Sequence, residues 1–304
     1  MNNDNKNEGD LILAELASVG FHAAFLPYSY MEQIDKIYET HNDNSENTPY
    51  DIKKRFRSNQ PPDIPFKPLS FLVISFQSLE GEICLNHKGE IISIPVPPIY
   101  LDGSIRKQIS NILKPFTESY QLAEVWSVSL KLLAVLSGLG EYGRNTLCYV
   151  DGQGSFCNFV AYYTDIPCAH GNHSLAFMER CNACNLCVEN CPTEAIGRQL
   201  VIDTSRCLTM LNEFEGQMPD WLAPNVHHAI VGCMRCQEIC PMNQSVSRQK
   251  KDALILNDTE TELLLSSSAD NLSPELVRKL SDYGLLNNFI SLAGRNAKLA
   301  IEAR

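Results

Sequence analysis

Hydrophobic positions sort the chain into stretches of different period. Leu11, Leu13 and Leu16, then Ile34 and Ile37, recur at roughly helical spacing across residues 11–40. Asn42 to Pro68 is polar and proline-rich, the composition of an exposed loop. Phe71-Leu-Val-Ile-Ser-Phe76 is an apolar run of strand length and predicts a buried strand. Ile83 to Asn86 and Ile91 to Ile94 flank His87-Lys-Gly-Glu90, which predicts a hairpin, and Pro95 to Tyr100 then breaks the strand. Helical patterns follow at Ile105 to Phe116 and Leu130 to Leu136, and β-rich ones at Cys148 to Val150 and Phe156 to Tyr163. Near the end, Leu272 to Leu280 predicts a helix with Ser273 as N-cap and Pro274 at its first position.

The pattern predicts an α+β protein in four parts. Residues 1–10 read as a disordered terminus and 11–178 as an α+β domain for cofactor and substrate. Residues 179–245 form a cysteine-rich domain, and 246–304 a C-terminal helical segment. Charge then removes some functions. The net charge of −11 argues against nucleic acid as the main partner, since phosphate binding needs basic patches. No apolar run approaches the ~20 residues that span a bilayer. The first ten residues carry neither a basic nor an apolar signal region, so a cytoplasmic location without membrane contact is expected. Twelve cysteines in such a protein point to metal or catalysis rather than disulfides.

Their spacing names the metal. Cys181-x2-Cys184-x2-Cys187-x3-Cys191-Pro192 is the bacterial ferredoxin run, with Pro192 expected to open a helix at Thr193-Glu-Ala-Ile196. In two-cluster ferredoxins the fourth cysteine of the run ligates the other cluster. Cys233-x2-Cys236-x3-Cys240-Pro241 is the tail of a second run, and Cys207 supplies its missing member. The crossing rule then gives Cys181, Cys184, Cys187 and Cys240 to one [4Fe–4S] cluster, and Cys191, Cys207, Cys233 and Cys236 to the other. Zinc on the C-x2-C pairs explains neither Cys-Pro ending. Cys84, Cys148, Cys157 and Cys168 read as small buried hydrophobes.

Gly138-Leu-Gly140-Glu-Tyr-Gly143 fits G-x-G-x-x-G, but a dinucleotide loop lies between a strand and a helix. Here the order is helix, loop, strand, so the loop is a glycine helix cap with a tight turn. Ser137 to Thr146 resembles the loop shared by epoxyqueuosine reductases and corrinoid reductive dehalogenases. Tyr163-Thr-Asp-Ile-Pro167, the cysteine series, Asp203-Thr-Ser-Arg-Cys207 and Gly294-Arg-Asn-Ala297 extend the likeness to epoxyqueuosine reductases over about residues 70–300. Lys131-Leu-Leu-Ala-Val135, Val150-Asp-Gly-Gln-Gly-Ser-Phe156 and Cys207-Leu-Thr-Met-Leu-Asn-Glu213 resemble a separate branch of these double-cluster proteins.

That resemblance implies a nitroreductase-like domain holding cobalamin, joined to a two-cluster ferredoxin-like domain and fed by an external donor such as ferredoxin or flavodoxin. The implied reaction is reductive removal of oxygen or halogen from a small molecule or modified nucleoside, with the protein supplying orientation, electrons and a proton. It also implies cofactor contacts from Gly138, Gly140, Gly143, Arg144 and Asn145. The family's acidic proton donor, fourteen positions before the first glycine, falls on Glu124, in a Glu-Val-Trp-Ser context instead of the usual Asp-Ser-Ala-Pro. A dehalogenase-like alternative places the donor at Tyr142 with Arg144 beside it. Residues 181–241 carry seven acidic and three basic side chains, so a tRNA-binding face is not expected there. His170, His173, His227 and His228 read as solvated loop histidines rather than cobalt or proton ligands.

Overall fold

A computed structural model describes residues 4–41, 63–169, 174–197, 201–266, 272–285 and 287–304. It mixes helices and strands and divides into two compact units. The first comprises Met1–Gln77, Ile105–Asn185 and Gly197–Ile202. The second comprises Ser78–Ser104, Leu186–Ile196 and Asp203–Arg304.

The first unit is built on a sheet with the order β1 (His22–Pro27), β2 (Ser70–Gln77), β8 (Cys157–Thr164), β5 (Leu122–Glu124), all neighbours antiparallel. β2 is the expected apolar strand. It reads as a continuous run because helices cover both of its faces. Leu72, Ile74 and Phe76 pack with Ile12 and Leu16 of α1 (Asp4–Ser18) and with Ile109 and Leu113 of α3 (Gly103–Leu113). Phe71 and Val73, alternating to the other face, pack with Ile34 of α2 (Met31–His41) and Leu132 to Leu136 of α4 (Leu130–Leu136). Residues 11–40 are therefore not one helical stretch. Gly20, at φ +86°, follows α1, and β1 intervenes, held by its pairing with β2 rather than by any strand pattern of its own. Helix α1 also starts at Asp4, inside the terminus expected to be disordered.

In the second unit β3 (Gly81–His87) and β4 (Glu90–Val96) form the expected hairpin. Lys88 and Gly89 both take positive φ, as a two-residue type I′ turn requires. β4 continues through Pro95, which an edge strand tolerates. β9 (Leu254–Leu256) runs parallel to β3. The core joins Ile83, Leu85, Ile94 and Val96 to Leu264 of α8 (Asp258–Ser266), Leu276 and Leu280 of α9 (Pro274–Asp282), and Ala293 and Ala297 of α10 (Asn287–Glu302). Ser273 caps α9 as its sequence predicts, accepting from the Leu276 N–H at 3.2 Å. The linear division expected from sequence differs here. The hairpin joins the unit of the C-terminal helices, because those helices cover the apolar face of β3 and β4.

Three short helices carry cysteine-bearing segments: α5 (Leu186–Glu189), α6 (Leu208–Glu213) and α7 (Arg235–Glu238). The helix expected at Thr193 to Ile196 is a turn instead, with Glu194 at φ +55°. Among the described residues no helix is long and apolar enough to cross a membrane.

Candidate functional site

The two cysteine runs build a repeated device. α5 holds Cys187, α7 holds Cys236, and the two helices pack together. The Cys191 N–H bonds the Val188 carbonyl and the Cys240 N–H bonds the Gln237 carbonyl, both at 3.2 Å. A proline follows each cysteine and ends the turn. Asn190 joins the halves, donating from Nδ2 to the Arg235 carbonyl at 2.7 Å.

Three of the four ligands expected for the second cluster come within electrostatic reach of one another. Burial pushes the Cys233 thiol up to about 12; the Arg235 N–H opposes that rise, while Cys207 and Cys191 add to it. Burial also raises Cys207, with Cys191 contributing. Main-chain N–H groups point at these sulfurs. Ala195 donates to Cys191 Sγ at 3.3 Å, Cys207 caps α6, and Cys233 precedes α7, beside their first-turn N–H groups. The first turns of helices expose such N–H groups, and a negatively charged cluster sulfur satisfies them. Among the described residues no three His, Cys, Asp or Glu side chains converge on the position of a single metal ion. A cubane needs a different arrangement, thiolates spaced around a body several ångströms across, and the thiol and N–H set fits one.

The glycine loop lies in the first unit, in the reversed context that excluded a nucleotide site: α4, the loop, then β6 (Gly140–Tyr142) and β7 (Cys148–Val150). Gly138, at φ +79°, follows α4. Its N–H bonds the Val135 carbonyl at 3.0 Å and the Leu139 N–H bonds Ala134 at 2.9 Å, a Schellman cap. Gly140 is required by close approach. A Cβ there would lie 2.5 Å from the Tyr149 carbonyl oxygen and 2.7 Å from Cys148 Sγ. A Cβ at Gly143 would meet the Tyr149 ring at 2.6 Å. Strand β7 and its tyrosine therefore fill the space that the missing side chains leave.

The polar members of the loop are also engaged. Asn145 donates to the Tyr149 hydroxyl at 3.0 Å. Arg144 grips the Cys181 carbonyl with Nη2 at 2.6 Å and Nε at 3.2 Å, tying the loop to the first cysteine of the motif. Thr146 takes φ +62°, a strained conformation for a β-branched residue, and its carbonyl accepts from Lys131 at 3.1 Å.

Glu124 and Tyr142 lie on opposite faces of the sheet. Glu124 pairs across β5 and β8 with Tyr162, which packs on the α1 and α3 side. Arg106 Nη1 holds the Glu124 carboxylate in a 2.7 Å ion pair. Tyr142 packs with Phe159, Ala161 and Tyr163 on the α4 side, where burial raises its phenol and Ser129 hydrogen-bonds it. Arg144, occupied by Cys181, is not the basic partner expected for it. His227 and His228 are not solvated. His227 is 4% exposed, and burial lowers it to about 4. His228 accepts the Met234 N–H on Nε2 at 3.3 Å, with Nδ1 3.2 Å from the Val226 carbonyl, which defines a neutral Nδ1–H tautomer. His170 and His173 lie outside the described residues. Cys148 and Cys157 are buried as expected, while Cys84 and Cys168 are half-buried.

Comparison with known proteins agrees with this arrangement. Residues 180–243 match the family described as 4Fe-4S double cluster binding domain. The cysteine segment thus defines a two-cluster iron–sulfur protein. Epoxyqueuosine reductases are among the curated proteins it is similar to. That of Cyclobacterium marinum is 33% identical over 123 residues, 40% of this chain and 39% of the relative. That of Escherichia coli is 34% identical over 137 residues, 45% of this chain and 34% of the relative. The matches thus span well under half the length of these curated relatives. The fold is shared more widely. A crystal structure of epoxyqueuosine reductase with an epoxyqueuosine-modified tRNA-Tyr stem loop covers 98% of this chain and 81% of its own, with TM-score 0.69 and 18% identity. The Bacillus subtilis enzyme, with its catalytic loop swung out of the active site, gives TM-score 0.68 at 17% identity, covering 98% and 82%.

Proposed function

We propose that the protein is an iron–sulfur oxidoreductase of the epoxyqueuosine reductase type, using two [4Fe–4S] clusters as a relay and a corrinoid bound by a nitroreductase-like first unit. The observation that carries the redox half is the second ligand set, where thiols and main-chain N–H groups gather on neighbouring segments. When bound, such clusters supply one-electron chemistry. The chain's part is to hold the thiolates, aim N–H groups at the sulfurs and exclude water from the buried side.

The corrinoid half rests on the sequence resemblance to epoxyqueuosine reductases, with which the chain shares its fold. The glycine loop does not support it, because Gly140 and Gly143 face β7 and both Arg144 and Asn145 are engaged by the chain itself. That observation favours a second reading, an electron-transfer protein without substrate chemistry of its own. As to substrate, the acidic balance of residues 181–241 speaks against tRNA only for that segment. The matched structure holding a tRNA stem loop keeps a modified nucleoside in tRNA as the substrate class to test. An external donor such as ferredoxin or flavodoxin completes the proposal.

Protein prepared without oxygen should hold about eight irons per chain. Added cobalamin should bind stoichiometrically with a base-off spectrum. Intact clusters without cobalamin binding would select the carrier; colourless protein would end both readings.

A further inference from the structure

The second ligand set rests on a bed of buried polar side chains that coordinates no metal. Cys207 opens α6, and Cys233 follows a segment ending at Gly232. Asn212, fully buried on α6, donates from Nδ2 to the Gly232 carbonyl at 2.8 Å. Asn296, fully buried on α10, donates from the same Nδ2 to the Asn212 and Ile230 carbonyls, each at 2.8 Å. Its neighbour Arg295 reaches the Leu211, Phe214 and Gly216 carbonyls at 3.1, 2.6 and 2.9 Å. Carbonyls at the end of a helix have no intrahelical partner, and these two side chains collect them. The Gly-Arg-Asn-Ala motif thereby gains a physical meaning. Gly294 lets α10 lie against the Leu264 carbonyl, Arg295 braces the Cys207 segment, and Asn296 laces that segment to the one before Cys233.

Tyr100 supports the same segments from below. Its hydroxyl donates to the Glu213 carboxylate. Gly232 sits on its ring at φ +67°, where a Cβ would lie 2.5 Å from the hydroxyl oxygen. Phe289 holds the ring edge-on at 5.1 Å. The residue before it, Ile99, takes φ +81°, strain that a β-branched residue sustains only where its surroundings fix it. Tyr100 is also within electrostatic reach of Cys207 and Cys233.

We infer that Tyr100 and Asn296 are positioning residues for the second cluster, fixing the Cys207 and Cys233 segments to each other and thereby setting that cluster's reduction potential. The inference rests on the two-cluster reading above. The link to potential is N–H···S bonding to this cluster's ligands: Cys207 caps α6 and Cys233 precedes α7, so each stands beside first-turn N–H groups that have no intrahelical partner. Such bonds stabilise the more negative, reduced cluster and weaken when the segments drift apart. The Glu213 carboxylate, without its phenol donor, acts in the same direction.

The test is EPR-monitored reductive titration with iron counting on the full chain purified without oxygen. A Cys207→Ser variant identifies which signal belongs to the first cluster. Tyr100→Phe keeps the ring under Gly232. It should retain all its iron, with the second potential shifted more negative and the first unchanged. Asn296→Leu should lose about half the iron, the surviving signal being the first cluster's. Unchanged potentials in Tyr100→Phe together with full iron in Asn296→Leu overturn the inference and leave the two-cluster reading standing. If Asn296→Leu loses both clusters, the Tyr100→Phe potential decides alone. Unaltered protein without iron overturns both.

Discussion

The second cysteine set and the glycine loop are held by different physics. Around Cys207 and Cys233 the helices are only one or two turns long, so main-chain carbonyls find their partners in buried asparagine and arginine side chains. The glycine loop needs little such help. It is capped by its own helix, pairs β6 with β7 and is set by contacts a methyl group would break. One region is specified by distant polar side chains, the other by local backbone geometry. Substitutions should therefore act on metal content in the first and on packing in the second.

The largest expected effect is at a ligand. Cys207→Ser should halve the iron from about eight to about four per chain, read by iron assay and EPR. Retention of all the iron would remove Cys207 from the ligand set and reopen the crossed assignment. Next comes Gly140→Ala, whose Cβ would press on the Tyr149 carbonyl at 2.5 Å. A cost of about 1–3 kcal/mol is expected from overpacking, read as a lowered unfolding midpoint with iron retained. Gly103→Ala is the control, since nothing lies within 4 Å of its added methyl. If both behave alike, close packing does not define the loop.

These two regions were unequally legible in the sequence. Cysteine spacing is local chemistry, so the double-cluster segment was legible from one line of sequence. The bed beneath them could not: Asn296 acts on Asn212 from 84 positions away, and Tyr100 on Glu213 from 113. The Schellman cap at Gly138 and the Ser273 cap were legible because both depend on a few adjacent residues. β1 was not, since His22-Ala-Ala-Phe-Leu-Pro27 becomes a strand only through its pairing with β2. Glycine loops carry an ambiguity of their own. The sequence shows that a close approach is needed, but not whether the approaching group is a cofactor or, as here, Tyr149.

A pH effect should separate the regions further. Burial holds His227 near 4, against 6.5 in the unfolded chain, with Arg295 and His228 adding to the shift. A lowered pKa means that its contribution to stability is complete above pH 6.5 and is lost as pH falls from there towards 4. His227→Leu should flatten that part of the stability profile by hydrogen exchange at α10, while the glycine loop responds equally in both proteins. An unchanged profile would mean that His227 titrates in the fold as it does in the unfolded chain.

Glu124 gives the smallest expected effect and the sharpest contrast with the sequence expectation. Its carboxylate is held in a 2.7 Å ion pair by the Arg106 guanidinium, a contact that a group facing a substrate would have to give up. Its strand register also turns it to the Tyr162 face, away from Tyr142 and the loop. That register depends on how β5 meets β8, which counting fourteen positions back from Gly138 does not reveal. Glu124→Gln should therefore keep both clusters and cost only about 0.2–1 kcal/mol, since both partners remain partly exposed and screened by solvent. Under the proton-donor expectation the same variant abolishes turnover at full iron content. Turnover measured beside the unfolding midpoint decides between an ion pair at the edge of the sheet and a group that enters the reaction. Arg106→Met removes the same ion pair without touching the carboxylate. If it leaves turnover intact while Glu124→Gln destroys it, the carboxylate has a chemical role that its pairing with Arg106 conceals.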